Sequence, residues 1–414
     1  MIILPSARGW HALLTLLGAA LMATAAHGQA TSTPPAAPSA APPPAAAPPP
    51  TPVQFEKALM KAAGDLFEKA NLDGAPQKVL LVIDPLIDGA TGVQSNATQQ
   101  MERRITELVK ANYPRFEIAR FSSAAMAKAP VVLIGTFTAI NNAGQAAGPR
   151  DAYRICLALA DLQSRKIISK GVARALPDGI DATPTAFFTR SPVVTKDPSV
   201  DAYIKSCQGT RPGDPIDQVY ADRILVASLV NDGIEAYNAG HYKDALGLYR
   251  SALRTPGGEQ LRVLNGIYLA NHELHRRKAA SEAFGNVVDY GLKSDKLAVK
   301  FLFKPGSTQF VRDTKARASY DSWLERIAER TAAQKACLEI VGHTSATGLV
   351  AINNRLSALR AEYVKDQLEA DASELRNRLI ASGKGSTEMI VGTGKDDASD
   401  AVDRRVEFKV IKCS

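Results

Sequence analysis

The segment from Lys78 to Asp88 constrains the fold more than any other part of the sequence. Its residues Val79–Ile83 are apolar without interruption, which is typical of a strand that is covered on both faces. Apolar residues recur at helical spacing before it, over 55–67, and after it, over 97–111. A buried strand between two amphipathic helices predicts an α/β domain, and we place this domain at residues 53–205.

Further strands are predicted within the same domain. Residues 116–121 and 130–139 are rich in apolar and β-branched side chains, and residues 152–160 and 166–175 form a predicted hairpin across a polar turn at 161–165. A polar stretch that contains prolines follows, to about residue 215.

The residues before this domain have the pattern of an export signal and a spacer. Arg8 precedes an apolar stretch, Ala12–Ala26, and small residues follow it. This predicts a secretory signal peptide over 1–30, with an uncleaved anchor as the alternative. Residues 31–52 are almost entirely Pro, Ala, Ser and Thr, so we predict a polyproline II-like linker there. An exported protein of the periplasm is therefore expected.

The charge of the chain is not organised as in nucleic-acid-binding proteins. Lys and Arg total 50 against 42 Asp and Glu, a net charge of +8, but no block of like charges and no basic stripe with interleaved aromatic residues is present. No internal segment reaches the roughly 18 apolar residues that a membrane-spanning helix requires. We expect neither nucleic-acid binding nor a transmembrane span in the mature chain.

Four cysteines lie beyond the predicted signal peptide. An oxidising compartment allows an even number of cysteines to pair. The domain boundaries favour the pairs Cys156–Cys207 and Cys337–Cys413, each within one domain, and buried thiols are the alternative.

Residues 217–292 have helical spacing and an internal repeat. Small residues at Gly233, Ala245 and Ala252 allow two helices to approach, and Tyr249 is predicted to fill the gap between them. This spacing resembles a tetratricopeptide helix pair, and residues 265–290 repeat it less regularly. The resemblance implies either a module that binds a peptide or one that spaces and docks the flanking domains, and we favour the second.

The C-terminal part, residues 297–414, is predicted to be a second α/β domain. Strands are expected at 297–303, 338–341, 387–391 and 405–411, and helices at 320–331 and 353–368.

Catalytic motifs are largely missing from the sequence. Neither a GxSxG, an HExxH nor a GxGxxG pattern occurs. His272 and His275 lack zinc-protease spacing and are interpreted as a polar helix face, and Gly392–Lys395 lacks features of a phosphate-binding loop. Asp84 and Asp88 flank a proline at a strand end; they could bind a cation or form an acid pair, but we interpret them as solvent-exposed. We therefore predict a protein that is not an enzyme, without cofactor or metal.

The most specific pattern lies in the C-terminal domain. The residues Gly-His-Thr-Ser of 342–345 follow a predicted strand, the residues Asn-Asn-Arg-Leu-Ser of 353–357 begin a helix, and Asp-Arg-Arg stands at 403–405. In order and spacing these motifs resemble the OmpA-like domain of outer-membrane proteins, peptidoglycan-associated lipoproteins and flagellar motor stators. The resemblance covers about residues 297–412.

This resemblance implies binding to the peptide stem of peptidoglycan. In the family, an Asp receives the ammonium of the stem, and an Arg fifteen residues later pairs with a carboxylate. Arg360 holds the Arg position here, whereas Ser345 replaces the Asp. Loss of a charge-assisted hydrogen bond costs about 1.5–3 kcal/mol, so we expect weakened binding. The predicted peptidoglycan-binding residues are Thr344, Ser345, Asn353, Arg360, Arg404 and Arg405.

The N-terminal domain has a weaker resemblance. Its strand ending in Asp-Pro-Leu at 84–86, its apolar strand at 131–135 and its hairpin at 157–168 resemble periplasmic domains of three kinds. These are the lipoprotein activators of penicillin-binding proteins, the curli-export lipoproteins and the TolB amino-terminal domain. The resemblance implies docking to other envelope proteins.

Two functions remain open from the sequence. The first is an exported envelope scaffold, associated with the cell wall and outer membrane, that holds peptidoglycan non-covalently through the OmpA-like domain. The alternative is a periplasmic protein–protein adaptor whose OmpA-like domain has lost wall binding because of Ser345.

Overall fold

A computed structural model describes the chain from residue 51 to residue 413 with short gaps. The gaps are residues 73, 75–76, 147–149, 194–195, 296, 305, 311–313 and 391–402, and the side chains of 314–318 are also not described. The predicted signal peptide and all but the last two residues of the predicted linker lie outside the described residues, as does the turn predicted at 392–395.

The predicted N-terminal α/β domain contains a mixed sheet of five strands. The strands are β1 (Val79–Ile83), β2 (Phe116–Ala119), β3 (Val131–Ile140), β4 (Ala152–Asp161) and β5 (Lys166–Ala175), in the order β2-β1-β3-β4-β5. Strands β2, β1 and β3 are parallel, and β3, β4 and β5 are antiparallel. The predicted hairpin is confirmed as β4 and β5.

One face of this sheet is covered by helices α1 (Phe55–Glu68) and α2 (Asn96–Asn112), and the short helix α3 (Ser123–Met126) precedes β3. Helix α1 lies directly on β5, because Gly171 has no side chain at the contact. A Cβ atom there would be 1.8 Å from the carbonyl oxygen of Ala62. Ser95 caps α2 by accepting a hydrogen bond from the backbone N–H of Thr98.

The polar stretch up to about residue 215, for which no element was predicted, contains helices α4 (Ala186–Arg190) and α5 (Pro198–Gln208). Asp197 caps α5 and proline occupies its first position, both favourable at a helix start. Val200, Tyr203 and Cys207 recur at helical spacing and are buried against the second face of the sheet. The apolar period was present, but the prolines and polar residues obscured it.

The middle of the chain consists of helices α6 (Gln218–Asn238), α7 (Tyr242–Leu253), α8 (Leu261–Glu273) and α9 (Arg277–Lys293). Tyr249 of α7 is fully buried between two glycines. A Cβ atom on Gly233 or Gly266 would lie within 2.6 Å of its ring. The predicted role of Tyr249 between closely packed helices is confirmed, and Gly266 belongs to the same contact.

The C-terminal sheet has four strands in the order β6-β9-β7-β8. Its elements are β6 (Leu297–Val299), α10 (Thr314–Ala333), β7 (Cys337–Gly342), α11 (Val350–Asp371), a 3₁₀ helix (Ser373–Leu375), β8 (Leu379–Gly383) and β9 (Val406–Ile411). Only β7 and β8 are parallel, whereas β9 runs antiparallel to β6 and β7.

The strand predicted at 387–391 is not formed by the described residues 387–390. Its place in the sheet is taken by β8, in which Leu379 pairs with Leu338 and Gly383 with Gly342. Gly342 and Gly383 allow α11 to lie close to the sheet. We attribute the register of β8 to this close packing rather than to the apolar residues of the strand.

One predicted disulfide is present and the other is not. Cys337 and Cys413 are bonded. Cys156 and Cys207 are buried thiols whose Sγ atoms are 2.7 Å apart, longer than the ~2.05 Å of a disulfide. Each thiol also has the backbone carbonyl of the other residue as a hydrogen-bond acceptor.

The helical middle and the C-terminal sheet share one hydrophobic core, which includes Phe284 and Leu292 of α9 and Trp323 of α10. The first half of α6, with Tyr220 and Ile224, belongs instead to the core of the N-terminal sheet. No helix within the described parts of the chain is long and apolar enough to cross a bilayer.

Candidate functional site

The loop that leaves β7 is held against the beginning of α11 by the side chain of Asn353. The Asn353 Nδ2 atom donates hydrogen bonds to the carbonyl oxygens of Ser345, at 3.4 Å, and Thr347, at 3.1 Å. Asn353 is 5% exposed. Asn353 therefore organises the loop. It is a predicted site residue in direct contact with Ser345, which is another.

Helix α11 approaches the C-terminal ends of β7 and β8 more closely than side chains would allow. A Cβ atom on Gly342 would lie 2.1 Å from the carbonyl oxygen of Ser357, and one on Gly383 would lie 2.3 Å from the backbone nitrogen of Ala358. The Ser357 hydroxyl accepts a hydrogen bond of 2.8 Å from the Gly385 N–H. Gly342 of the Gly-His-Thr motif and Ser357 of the helix motif thus both hold α11 close to the sheet.

Arg360 lies on the same face of α11 as Asn353, seven residues further on, which is about two turns or ~10 Å along the axis. The residue is 4% exposed. It donates to the carbonyl oxygens of Ser307, from Nε at 3.2 Å, and Lys304, from Nη2 at 3.3 Å. It also lies over the ring of Phe303, at 4.7 Å. The loop after β6 therefore fixes this cation in one orientation.

Ser345 and Thr344 are the site residues that the resemblance predicts on the loop after β7. Both are buried, at 6% and 4% exposure. The hydroxyls of Ser345 and Thr347 share a hydrogen bond of 3.1 Å. The Thr344 N–H donates to the Gly385 carbonyl, but its hydroxyl has no hydrogen-bond partner among the described residues. Neither hydroxyl supplies a negative charge.

Arg405, which immediately precedes β9, is buried and is paired with Glu407 of that strand. Its Nε and Nη2 atoms lie 2.8 and 2.6 Å from Glu407 Oε1, and its Nη1 atom has no hydrogen-bond partner among the described residues. The Arg405 carbonyl accepts a hydrogen bond of 3.0 Å from the His343 N–H. Residues two apart in extended backbone lie on one face, so the spacing of Arg405 and Glu407 is the sequence signal that could have identified Glu407.

The charge of Glu407 is stabilised by its neighbours. Burial raises its pKa, but His343 and the guanidinium of Arg405 oppose this and lower the pKa to about 2. The His343 Nε2 atom is 3.6 Å from Glu407 Oε2, too far for a good hydrogen bond, so we attribute the lowered pKa mainly to Arg405. The His343 N–H, which donates to the Arg405 carbonyl, joins this ion pair to the loop that carries Ser345.

Arg404 and Arg405 do not act together, although they are adjacent in the sequence. Arg404 lines a large cleft that also involves helices α8 and α10, whereas Arg405 lies beside Glu407. Asp403 is fully buried, and its Oδ1 atom accepts a hydrogen bond of 2.6 Å from the Ile390 N–H. Among the predicted site residues, Asn353 thus contacts the loop of Thr344 and Ser345, whereas Arg360, further along the same helix, contacts the loop after β6.

Two acidic residues outside this site differ from the sequence interpretation. Asp84 is not solvent-exposed but 6% exposed, and its Oδ2 atom accepts a hydrogen bond of 2.8 Å from the Tyr220 hydroxyl of α6. Burial raises its pKa to about 7, although Tyr220 and Arg262 act in the opposite direction. Asp88 caps a turn by accepting from the N–H groups of Ala90 and Thr91.

Within the described residues, no three His, Cys, Asp or Glu side chains converge as they would around a metal ion.

Comparisons with known proteins concern only the C-terminal domain. Residues 302–403 match the OmpA family. No curated protein matches this chain. Among solved structures, a cell wall anchor of the type VI secretion system from Pseudomonas aeruginosa is 29% identical, with 28% of this chain and 79% of that chain covered and a TM-score of 0.23.

Two further solved structures are similar over the same share of this chain. The peptidoglycan-associated lipoprotein from Burkholderia pseudomallei is 24% identical, with 28% of this chain and 89% of that chain covered and a TM-score of 0.23. The periplasmic domain of Helicobacter pylori MotB is 23% identical, with 28% and 76% covered and a TM-score of 0.24. The family match makes residues 302–403, which include β7, β8 and the helix carrying Arg360, an OmpA-family domain.

Proposed function

We propose that this protein is an exported scaffold of the cell envelope that associates non-covalently with peptidoglycan through the site around Arg360. The family to which residues 302–403 belong binds peptidoglycan and is typically non-catalytic. The observation that carries the proposal is the fixed guanidinium of Arg360, buried on Phe303 and oriented by two carbonyl oxygens. A planar cation in a set orientation suits a carboxylate of the stem peptide.

The roles of the other residues follow from their positions. Asn353 would shape the loop, Ser345 and the Thr344 hydroxyl would accept or donate hydrogen bonds to the stem, and Arg405 would support the loop through His343 and Glu407. Arg404 would have no direct part, because it lines the separate cleft. We place the protein in the periplasm, associated with the wall, and expect the N-terminal sheet and the helical repeats to dock other envelope proteins.

Cosedimentation of the full chain with purified peptidoglycan sacculi tests this function. Arg360→Ala should abolish pelleting, and Arg355→Ala is the matched control, because Arg355 is exposed on the same helix. Ser345→Asp restores the charge for the stem ammonium and should strengthen binding about ten- to a hundred-fold. Thermal unfolding of each variant separates loss of the site from loss of the fold. Equal pelleting by the natural chain and Arg360→Ala would contradict the proposal.

The second candidate is a periplasmic adaptor whose OmpA-family domain no longer binds the wall. Ser345 favours it, because a neutral hydroxyl cannot replace a carboxylate as a counter-charge. This function predicts that the natural chain does not pellet and that Ser345→Asp alone gains binding. The working surfaces would then be the N-terminal sheet and the helical middle of the chain.

A further inference from the structure

A large cleft lies outside the candidate peptidoglycan site and has no assigned role. Its volume is about 1490 Å³, above the ~300–1,000 Å³ of pockets for small molecules. One face of helix α8, with Asn265, Leu269 and His272, contributes to its lining. The segment around α4 and residues of α10 complete it. A cleft of this size fits an extended chain better than a compact metabolite.

The charge of the lining is strongly positive. Seven Lys or Arg side chains face two carboxylates, Asp197 and Glu273, a formal excess of five positive charges with the histidines neutral. Both carboxylates already have partners: Asp197 caps α5 and also accepts from the Leu261 N–H, and Glu273 pairs with Arg190 at 3.0 Å. Such a lining attracts an anionic ligand.

Several of the cations retain donors for a ligand. Arg277 and Lys278, at the start of α9, are exposed and have neither a hydrogen bond nor an ion pair among the described residues. Lys300 donates to the carbonyl oxygens of Phe188, at 3.2 Å, and Thr189, at 3.0 Å. This uses two of the three donors of its ammonium. A carboxylate in the cleft would take up the third.

One buried polar group also lacks a partner. Asn265 is 3% exposed and lines the cleft. Its Nδ2 atom donates to the Ser191 hydroxyl at 3.0 Å, but its Oδ1 atom has no hydrogen-bond partner among the described residues. A buried acceptor without a donor is costly, and the backbone N–H of a bound polypeptide would satisfy it.

The aromatic residues of the cleft distinguish a polypeptide from an acidic glycan. Tyr268, Tyr320 and Trp323 are each at most 8% exposed. The Trp323 ring stacks on Phe284, and its Nε1 atom donates to the Tyr268 hydroxyl. One face of the Trp323 ring is therefore covered, and the low exposure of the three rings leaves little open face on which a sugar ring could stack. Apolar side chains of a peptide can pack against partly covered aromatic rings.

We propose that this cleft binds an acidic segment of a partner polypeptide, with its carboxylates directed to Arg277, Lys278 and Lys300. The site is independent of the peptidoglycan pocket and uses none of the residues around Arg360. With this site, the helical middle of the chain would bind an acidic ligand and would not serve only to space the flanking domains.

The test is fluorescence anisotropy of the full chain with a fluorescein-labelled peptide of alternating Glu and Ala, at low salt. The corresponding Lys–Ala peptide should not bind. Arg277→Glu combined with Lys278→Glu should weaken binding about ten-fold or more. Glutamates at the first turn of α9 are favourable there, so this variant keeps its fold. Lys243→Glu combined with Arg250→Glu is the matched control on α7 and should bind as the natural chain does.

A second readout locates the ligand. Trp10 and Trp323 are the two tryptophans of the sequence, so in a Trp10→Phe chain the unlabelled peptide should change the fluorescence of Trp323. Absence of peptide binding by the natural chain overturns the proposal, as does equal weakening by the two double variants. Binding of polygalacturonate in place of the peptide would reassign the cleft to an acidic glycan.

Discussion

The guanidinium carbon of Arg360 lies 4.7 Å from the centre of the Phe303 ring, so helix α11 and the loop after β6 form one unit around this cation. Phe303 is paired with Phe310 in an isolated antiparallel bridge, which closes the loop that carries the Lys304 and Ser307 carbonyls. The orientation of Arg360 therefore depends as much on this loop, whose Ser307 and Lys304 are 53 and 56 positions away in the sequence, as on its own helix.

Phe303→Leu should weaken pelleting with sacculi without abolishing the fold. A cation–π contact contributes about 0.5–2 kcal/mol, which corresponds to a two- to thirty-fold loss of affinity. Phe301→Leu is the control, since Phe301 is fully buried and stacks on Phe310 but does not lie under Arg360. If both variants lose pelleting equally, the effect comes from general loosening of the loop.

Gly266→Ala should destabilise the protein, because its Cβ atom would lie 2.5 Å from the Tyr249 ring. Overpacking of this kind costs about 1–3 kcal/mol, measured as a change in the free energy of unfolding in urea. Gly247→Ala on α7 should instead stabilise by about 0.5–1 kcal/mol, since nothing lies within 4 Å of its Cβ position. The same sign for both substitutions would argue against close helix packing around Tyr249.

The free energy of unfolding should decrease as the pH rises from about 4 to about 7. Burial raises the pKa of Asp84 from its ordinary 3.8 to about 7. In this window the unfolded chain has released the proton and the folded chain has not, so rising pH favours unfolding, by at most about 1.4 kcal/mol per pH unit for one proton.

Asp84→Asn should reduce this slope. Part of the slope should remain, because burial also raises the pKa of Glu102 to about 7. Asp222→Asn changes an exposed carboxylate on α6 and should leave the slope as it is. An unchanged slope in Asp84→Asn would show that this carboxyl ionises normally in the folded chain.

Cys413→Ser should lower the free energy of unfolding by about 2–4 kcal/mol, because the Cys337–Cys413 bond closes a loop with a sequence separation of 76. Cys337→Ser in addition should cost little more, as expected for two residues that share one bond. Thiol titration of the unfolded natural chain without reductant should find two thiols, those of Cys156 and Cys207. A count of zero would mean that this second pair is also bonded.

Local periodicity was sufficient to predict most elements. Hydrophobic periodicity in the local sequence indicates three of them directly: the apolar run of β1, the hairpin of β4 and β5, and the helix that carries Arg360. The position of β8 was missed because it is set by contact between distant parts of the chain. Gly342 and Gly383 face Ser357 and Ala358 across the helix–sheet interface, and no local pattern encodes that approach.

The candidate site was predictable in its residue types but not in its geometry. Spacing identified Arg360 and Ser345, yet the ring of Phe303 and the carbonyl oxygens that orient Arg360 belong to a loop without a recognisable motif. Asp84 was misjudged for a similar reason, since Tyr220, its hydrogen-bond partner, is 136 residues away. Burial that depends on tertiary packing leaves no signal in the flanking sequence.

The core shared by α9, α10 and the C-terminal sheet has a mechanical consequence. Phe284 and Trp323 stack across the two helices, and Gly291 of α9 lies against Leu297 at the start of β6. A force applied to α11 would thus be transmitted to α9 and α10 through buried side chains. The helical middle of the chain would then move together with the C-terminal sheet, because the two share one core.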